Sequence, residues 1–173
     1  MTAAEAFQPE LSRVIDRRQI MEKPVEITAT ETECAALARR FGLVRIDRLQ
    51  ATVQLTAKGD RIAAAGTLLA DIVQTCAVSG DDLPAHIDAP LAFHFVPEQV
   101  IEAEELDVAE EELDDIPYTG TAFDLGEAVA QSLALSIDPY AVGPDADRVR
   151  REKGLLEPGA AGPFAALAAL KKD

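Results

Sequence analysis

From Leu43 to Ala57 apolar residues recur at alternate positions, Val44 and Ile46, then Leu49, Ala51, Val53, Leu55 and Ala57, with one residue too many between Ile46 and Leu49. Strand side chains alternate between two faces, so this stretch predicts a long strand with one buried face, and the extra residue predicts a β-bulge. Lys58-Gly59-Asp60 supplies a turn, after which Ile62, Ala64, Gly66, Leu68, Ala70 and Ile72 resume the alternation as an antiparallel partner. A second turn at Ser79-Gly80-Asp81-Asp82 precedes Ile87, Ala89, Leu91, Phe93 and Phe95, a third strand that Pro97 ends.

The period changes to that of a helix in two places. Thr30 or Thr32 can cap a helix through Arg40, because Glu33 follows Thr30 at capping-box spacing, and Phe41-Gly42 stops it. That helix would bury Ala35, Leu37, Ala38 and Phe41. The second helix runs from Asp124 to Ser136, with Asp124 as N-cap, Glu127 as its capping-box partner, and Leu125, Ala128, Val129, Ser132 and Leu133 at helical spacing. Leu11 to Ile15 and Val25 to Ala29 read as short strands around the polar Arg17-Arg18-Gln19. Beyond Asp138-Pro139, a stretch rich in Pro, Gly and charge leads to Pro163-Phe164-Ala165-Ala166-Leu167-Ala168-Ala169-Leu170-Lys171-Lys172. This is a short amphipathic helix with Pro in its first turn and Phe164, Leu167 and Leu170 on one side.

The expected architecture is one α+β domain over 11–139. Its antiparallel sheet would be strongly bent, far enough to approach closure into a barrel, with the two helices packed on it. A flexible N-terminus (1–10), an acidic loop (98–115) and a linker with the short C-terminal helix (140–173) would lie outside the core.

Composition narrows the function classes. The chain has 173 residues, 48% of them hydrophobic and 27% charged, which is enough apolar material for a core and argues against wholesale disorder. The net charge of -15 disfavours non-specific wrapping of nucleic acid or of an anionic membrane, so any RNA contact must be local. Charge is also unevenly spread. Ten of the 31 acidic residues lie between Glu98 and Asp115, where Lys and Arg are absent; like charges repel there and favour a solvated, mobile loop. Eight of the 16 basic residues lie between Glu10 and Gln50, among seven acids. Within that segment Arg13, Arg17 and Arg18 are the candidate RNA or partner contacts, since the planar guanidinium fork suits phosphate and Arg17-Arg18 sits in a polar turn.

The chemistry an enzyme needs is thin. His86 and His94 are eight residues apart on one strand face, about 26 Å at ~3.3 Å per residue, too far to share a metal or a proton. Gly-rich phosphate loops, nucleophile elbows and His-Glu-x-x-His helices are missing from the sequence. Cys76 stands at a strand end, but Ser79 occupies the place of a second zinc-knuckle thiol, and Cys34 is the one other cysteine. A buried, inert thiol is the expectation, with no metal, no cofactor and no small-molecule substrate. The opening Met-Thr-Ala-Ala-Glu lacks the basic and apolar regions of a secretory signal, and no apolar run is long enough to span a bilayer, which together suggest a cytoplasmic protein.

The ordered set of segments carries one resemblance. A long hairpin ending in Val73-Gln74-Thr75-Cys76, a strand finishing at Phe93-His94-Phe95-Val96-Pro97, an acidic loop, Phe123-Asp124-Leu125-Gly126-Glu127 leading into Leu133-Ala134-Leu135-Ser136-Ile137-Asp138-Pro139, and the closing Pro163–Lys171 segment resemble the YceD-like family from about Leu11 onward. The family motif places Cys76, Asp124, Leu125, Pro163, Phe164, Leu167 and Leu170. Many relatives carry Cys-x-x-Cys at the hairpin end and a further cysteine after the second helix; this sequence keeps Cys76 alone of that set. The resemblance implies a non-enzymatic factor supporting large-subunit ribosomal RNA (23S rRNA) accumulation, processing or 50S assembly. Its partners would be large-subunit rRNA or a pre-50S particle. The alternative is an acidic adaptor that escorts a basic ribosomal protein without touching RNA.

Overall fold

The computed structural model describes residues 9–98 and 114–154. Three long strands, β3 (Arg45–Lys58), β4 (Arg61–Thr75) and β5 (Asp82–Pro97), form an antiparallel meander. The short β2 (Val25–Thr28) adds antiparallel to β3, and β6 (Asp115–Tyr118) adds parallel to β5, giving the order β2-β3-β4-β5-β6. A separate two-stranded sheet pairs β1 (Val14–Asp16) with β7 (Ala122–Asp124). The helices are α1 (Glu31–Phe41), α2 (Leu125–Ser136) and α3 (Ala146–Glu152).

The period-two stretches became the three long strands, and the extra residue is a bulge: Ile46 pairs with Ile72 and Arg48 with Asp71, leaving Asp47 unmatched. Buried positions follow the alternation, with Leu49, Ala51, Val53 and Leu55 of β3 facing the same core as Ile62, Ala64, Leu68, Ala70 and Ile72 of β4. α1 begins at Thr30, whose hydroxyl accepts the Glu33 N–H while the Glu33 carboxylate accepts the Thr30 N–H, a complete capping box. It ends at Gly42 in the left-handed region (φ 67°), where a side chain would be strained. Leu37 and Ala38 of α1, with Leu125, Val129 and Leu133 of α2, are buried in the same hydrophobic cluster as the strands. Burying each of the leucines and the valine contributes about 1.5 to 3 kcal/mol.

The tertiary structure corrects several expectations. The sheet does not close into a barrel: β2 and β6 are its two edges. It is also not wholly antiparallel, because the chain returns after the acidic stretch running alongside β5 in the same direction. Three helices are present among the described residues rather than two, since α3 lies in the stretch read as linker. The two N-terminal strands part company, β1 joining β7 and β2 joining β3. On α1, Cys34 is buried and Ala35 is exposed, and Val44 lies outside β3 with 45% exposure. The expectations for 1–8, for 99–113 and for 155–173, including the short C-terminal helix, fall outside the described residues. Asp115, at the end of the acidic stretch, is part of β6.

Gly66 of β4 lies opposite Val53 of β3 on one side and Leu91 of β5 on the other. A Cβ built there would lie 1.9 Å from the Thr52 carbonyl oxygen, a backbone atom that cannot swing away. Gly66→Ala is therefore expected to destabilise the fold by about 3 kcal/mol, the upper part of the usual range for overpacking. Gly143→Ala, whose new methyl would meet the Leu83 side chain at 3.5 Å, should change stability far less. Urea titrations of the two variants beside the parent chain check the difference.

Candidate functional site

The densest polar constellation forms where the N-terminal segment crosses the first turn of α2. Asp124, the N-cap of α2, accepts hydrogen bonds from the Ser12 hydroxyl (2.6 Å), the Arg13 N–H (2.8 Å) and the Glu127 N–H (3.1 Å). Leu125 N–H donates to Arg13 O at 3.0 Å, and Arg17 N–H to Thr121 O at 2.8 Å, extending the β1–β7 pairing at both ends. The crossing is so close that a Cβ on Gly126 would stand 2.7 Å from both Arg13 N and Leu11 O. The Asp124-Leu125-Gly126 run thus has three local jobs: the carboxylate binds the strand, Leu125 fills the core at 0% exposure, and glycine leaves room for the backbone.

This junction draws on the residues singled out as contacts. Arg13 gives both guanidinium nitrogens to Glu33, at 2.7 and 3.0 Å, and also reaches Ser12 O and Thr28 O. Its fork ties β1's approach to α1 and is not turned outward as a phosphate ligand. Hydrogen bonding from Arg13 holds the Glu33 carboxyl down at about 2. Arg17 pairs with Asp60 in the β3–β4 turn. Arg18 is exposed and, among the described residues, its guanidinium makes no hydrogen bond; its N–H donates to Asp16, which caps the 3-10 turn at Arg17–Gln19. The expected trio is thus brought into one segment but divided in use.

Sequence reasoning did not find Arg40, which bridges Glu10 and Glu127 with bonds of 2.7 to 2.9 Å. The Glu127 carboxylate turns to Arg40 in place of completing a capping box with Asp124. Eighty-seven residues separate that pair, and no local pattern signals it. Gly126 could have been found, because glycine inside a helical pattern marks a close approach.

Cys76 is buried at 3% exposure, and its sulfur is the focus of a small loop knot. Ser79 N–H donates to it at 3.4 Å and Gly143 N–H at 3.2 Å, while Ala77 N–H donates to Ala141 O. These donors favour the thiolate and lower its titration to about 6, with the Gly143 contribution largest. The thiol is buried as expected, and these hydrogen bonds make it more acidic than an ordinary thiol. Cys34 behaves oppositely, burial pushing its thiol up. The donor set around Cys76 does not suit zinc: backbone N–H groups point at the sulfur and a serine stands at the second thiol position. No group of three or more His, Cys, Asp or Glu among the described residues could hold a metal ion. His86 lies 2.6 Å from Asp71 and His94 lies 3.6 Å from Asp115, each on its own part of β5. No helix among the described residues is long and apolar enough to cross a membrane.

A chain with this order of strands and this α2 junction is an α+β scaffold organised around a long meander. Comparison with known families gives the more specific result: the model of the family described as Large ribosomal RNA subunit accumulation protein YceD matches residues 64–171, and the chain belongs to that family. The match begins inside β4, later than the Leu11 start suggested by motif order, and includes Cys76, Asp124, Leu125, Pro163, Phe164, Leu167 and Leu170. The last four lie outside the described residues. No curated protein and no solved structure matches.

Two titrations test this geometry. Glu33 keeps a lowered pKa in the fold, so its stabilising contribution is complete above its ordinary value of 4.5 and is lost as pH falls toward 2. Arg13→Ala should cost about 1 to 2 kcal/mol at neutral pH, discounted for partial exposure, and the gap from the parent should close as pH falls between those two values in pH-dependent denaturation. Ultraviolet thiolate absorbance should rise with a midpoint of about 6 in the native protein, and Cys76→Ser should remove that step while Cys34→Ser leaves it.

Proposed function

We propose that the protein is a non-enzymatic factor that supports accumulation of large-subunit ribosomal RNA by binding a precursor of the large subunit in the cytoplasm. The observation that carries this reading is the family match over 64–171, which takes in β5, α2 and the closing Phe164–Leu170 segment together. The electrostatics support a contact confined to a small area. With -15 net charge, and with Arg13, Arg40, Arg45, Arg48 and Arg61 each paired with a carboxylate of the same chain, phosphate contact is confined to the cations outside these pairs. Arg18 and the exposed Lys23 nearby in the chain, with Arg17, whose partner Asp60 is itself largely exposed and can be exchanged for phosphate, are the RNA contacts of the N-terminal segment in this reading. Arg13 contributes by holding that segment against α1.

Loss of the protein should lower large-subunit rRNA relative to small-subunit rRNA. Arg17→Ala with Arg18→Ala should reproduce part of that deficit with stability changed by no more than about 0.5 kcal/mol, whereas Arg13→Ala should act through stability. Quantifying both rRNAs in a null strain complemented with each variant, alongside melting of the purified chains, separates the two effects. Full complementation by the Arg17/Arg18 variant, with failure of a protein lacking 99–113, would replace direct RNA contact with the acidic adaptor reading.

A further inference from the structure

The chain has six Phe, two Tyr and no Trp. Among the described residues Phe93, Phe95, Phe123 and Tyr118 are buried and Phe41 is half-buried, so Tyr140, 82% exposed, is the one aromatic ring turned to solvent. Leu135 and Val142, both exposed, stand on either side of it in the chain. The loop that carries the ring is fixed at both ends. Tyr140 N–H donates to the Asp138 carboxylate at 2.9 Å, and Ala141 N–H to Asp138 O at 3.3 Å. Ala141 O accepts from Ala77 N–H at 3.0 Å, and Gly143 N–H donates to the Cys76 sulfur at 3.2 Å. A ring held out by a bonded backbone loses less freedom when a ligand covers it. Gly143 O then accepts from Ala146 N–H at 3.1 Å, which turns the chain into α3. There Arg148, Arg150, Arg151 and Lys153 place four cations in six residues, the densest basic run in the sequence. Arg148 pairs with Asp145 and Glu152, and Arg150 with Asp147, in each case a carboxylate that is itself exposed, so phosphate can take its place. Arg151 and Lys153 are exposed and make no ion pair among the described residues.

We propose that an unpaired nucleotide of large-subunit rRNA stacks its base on the Tyr140 ring while neighbouring phosphates of the same strand lie on Arg150, Arg151 and Lys153, an inference that rests on the rRNA reading of the protein. Every base has a π-face, so stacking on tyrosine is tolerant of sequence. It is selective for single strands, because a base inside a duplex is already stacked. Ring and cations are close along the chain: α3 is about 10 Å long and follows the Tyr140 loop directly. Charge favours RNA as the ligand. In a chain of -15, the stretch from Asp145 to Lys153 sets four cations against the three carboxylates of Asp145, Asp147 and Glu152. The dipole of α3 accounts for cations in its last turn but gives no reason for a solvated tyrosine ahead of them. Loop and helix both lie within the family match over 64–171.

Intrinsic fluorescence tests this on the full chain. With no Trp and two Tyr present, Tyr118→Phe leaves Tyr140 as the single emitter. Titrating that variant at low salt with an oligouridylate single strand should quench the emission, and the same strand annealed to oligoadenylate should not. With the single strand end-labelled, anisotropy should show Tyr140→Ala binding at least about fivefold more weakly than the parent, with Tyr140→Phe binding like the parent. Arg150→Ala, Arg151→Ala and Lys153→Ala together should reduce the slope of log affinity against log salt by about 2. Tyr140→Ala should melt with the parent, since the side chain is exposed. Unquenched emission, or equal affinity of Tyr140→Ala and the parent, would overturn the proposal. If Tyr140→Ala keeps parental affinity for the probe yet fails to restore large-subunit rRNA in a null strain, the ring contacts a protein and the proposal falls. The rRNA reading fails separately, if the null strain has a normal ratio of large-subunit to small-subunit rRNA.

Discussion

The close crossing of the Leu11–Arg13 backbone over the first turn of α2 is the contact on which the arrangement of this molecule depends. Asp124 fixes it by accepting from Ser12, Arg13 and Glu127, and Gly126 permits it by having no side chain to collide. The N-terminal segment up to the 3-10 turn is placed from there. β1 lies beside β7, the 3-10 turn follows, and the Arg13 fork reaches Glu33, whose carboxylate also completes the cap of α1. One arginine therefore links the N-terminal segment, the start of α1 and the end of β2. The N-terminal segment ahead of β2 is held to the family-matched part of the chain through a motif that belongs to the latter, while β2 and β3 join it through the β3–β4 ladder.

That use of cations has a consequence for recognition. A chain with about twice as many acids as bases can approach polyanionic RNA only where its own carboxylates are absent or already paired. Pairing Arg13, Arg40 and Arg61 internally stabilises junctions between elements but removes them as phosphate ligands. Among the described residues, the exposed cations outside any ion pair are scattered: Arg18 and Lys23 near the N-terminal turn, Arg39 on α1, Lys58 at the end of β3, and Arg151 and Lys153 at the end of α3. Short-range contact within a larger assembly, where other interactions supply affinity, suits such a surface better than independent binding of RNA.

Cys76 shows how a loop can keep its shape on a single sulfur. Hydrogen bonds from Ser79 and Gly143 converge on it, and the Ala77 to Ala141 bond closes the same loop pair. A sulfur accepting N–H groups holds together two segments 67 residues apart. The same bonds explain why the thiol titrates low although it is buried, since hydrogen bonding to the charged form outweighs desolvation.

Much of the fold was legible in sequence because the signals are local. Alternation in β3, β4 and β5 reflects one buried face, the extra residue before Leu49 is the bulge, and Thr30 with Glu33 is a cap that operates within four residues. The family could be read from the order of its motifs. Short elements were a different matter: β6, β7 and α3 are three to seven residues long, too brief for a periodicity to stand out, and exist because neighbours supply their bonds. Whether the sheet closes was likewise decided by which edges met. Local pattern gives a strand its faces, not its outer neighbour, so the parallel β6 was not foreseen. The candidate contacts divide the same way. The sequence identified the guanidinium groups, since residue type and clustering are local facts. Only the fold decided which of them a carboxylate elsewhere in the chain would take, because Coulomb attraction acts through space and Glu33 and Asp60 were brought to Arg13 and Arg17 by packing.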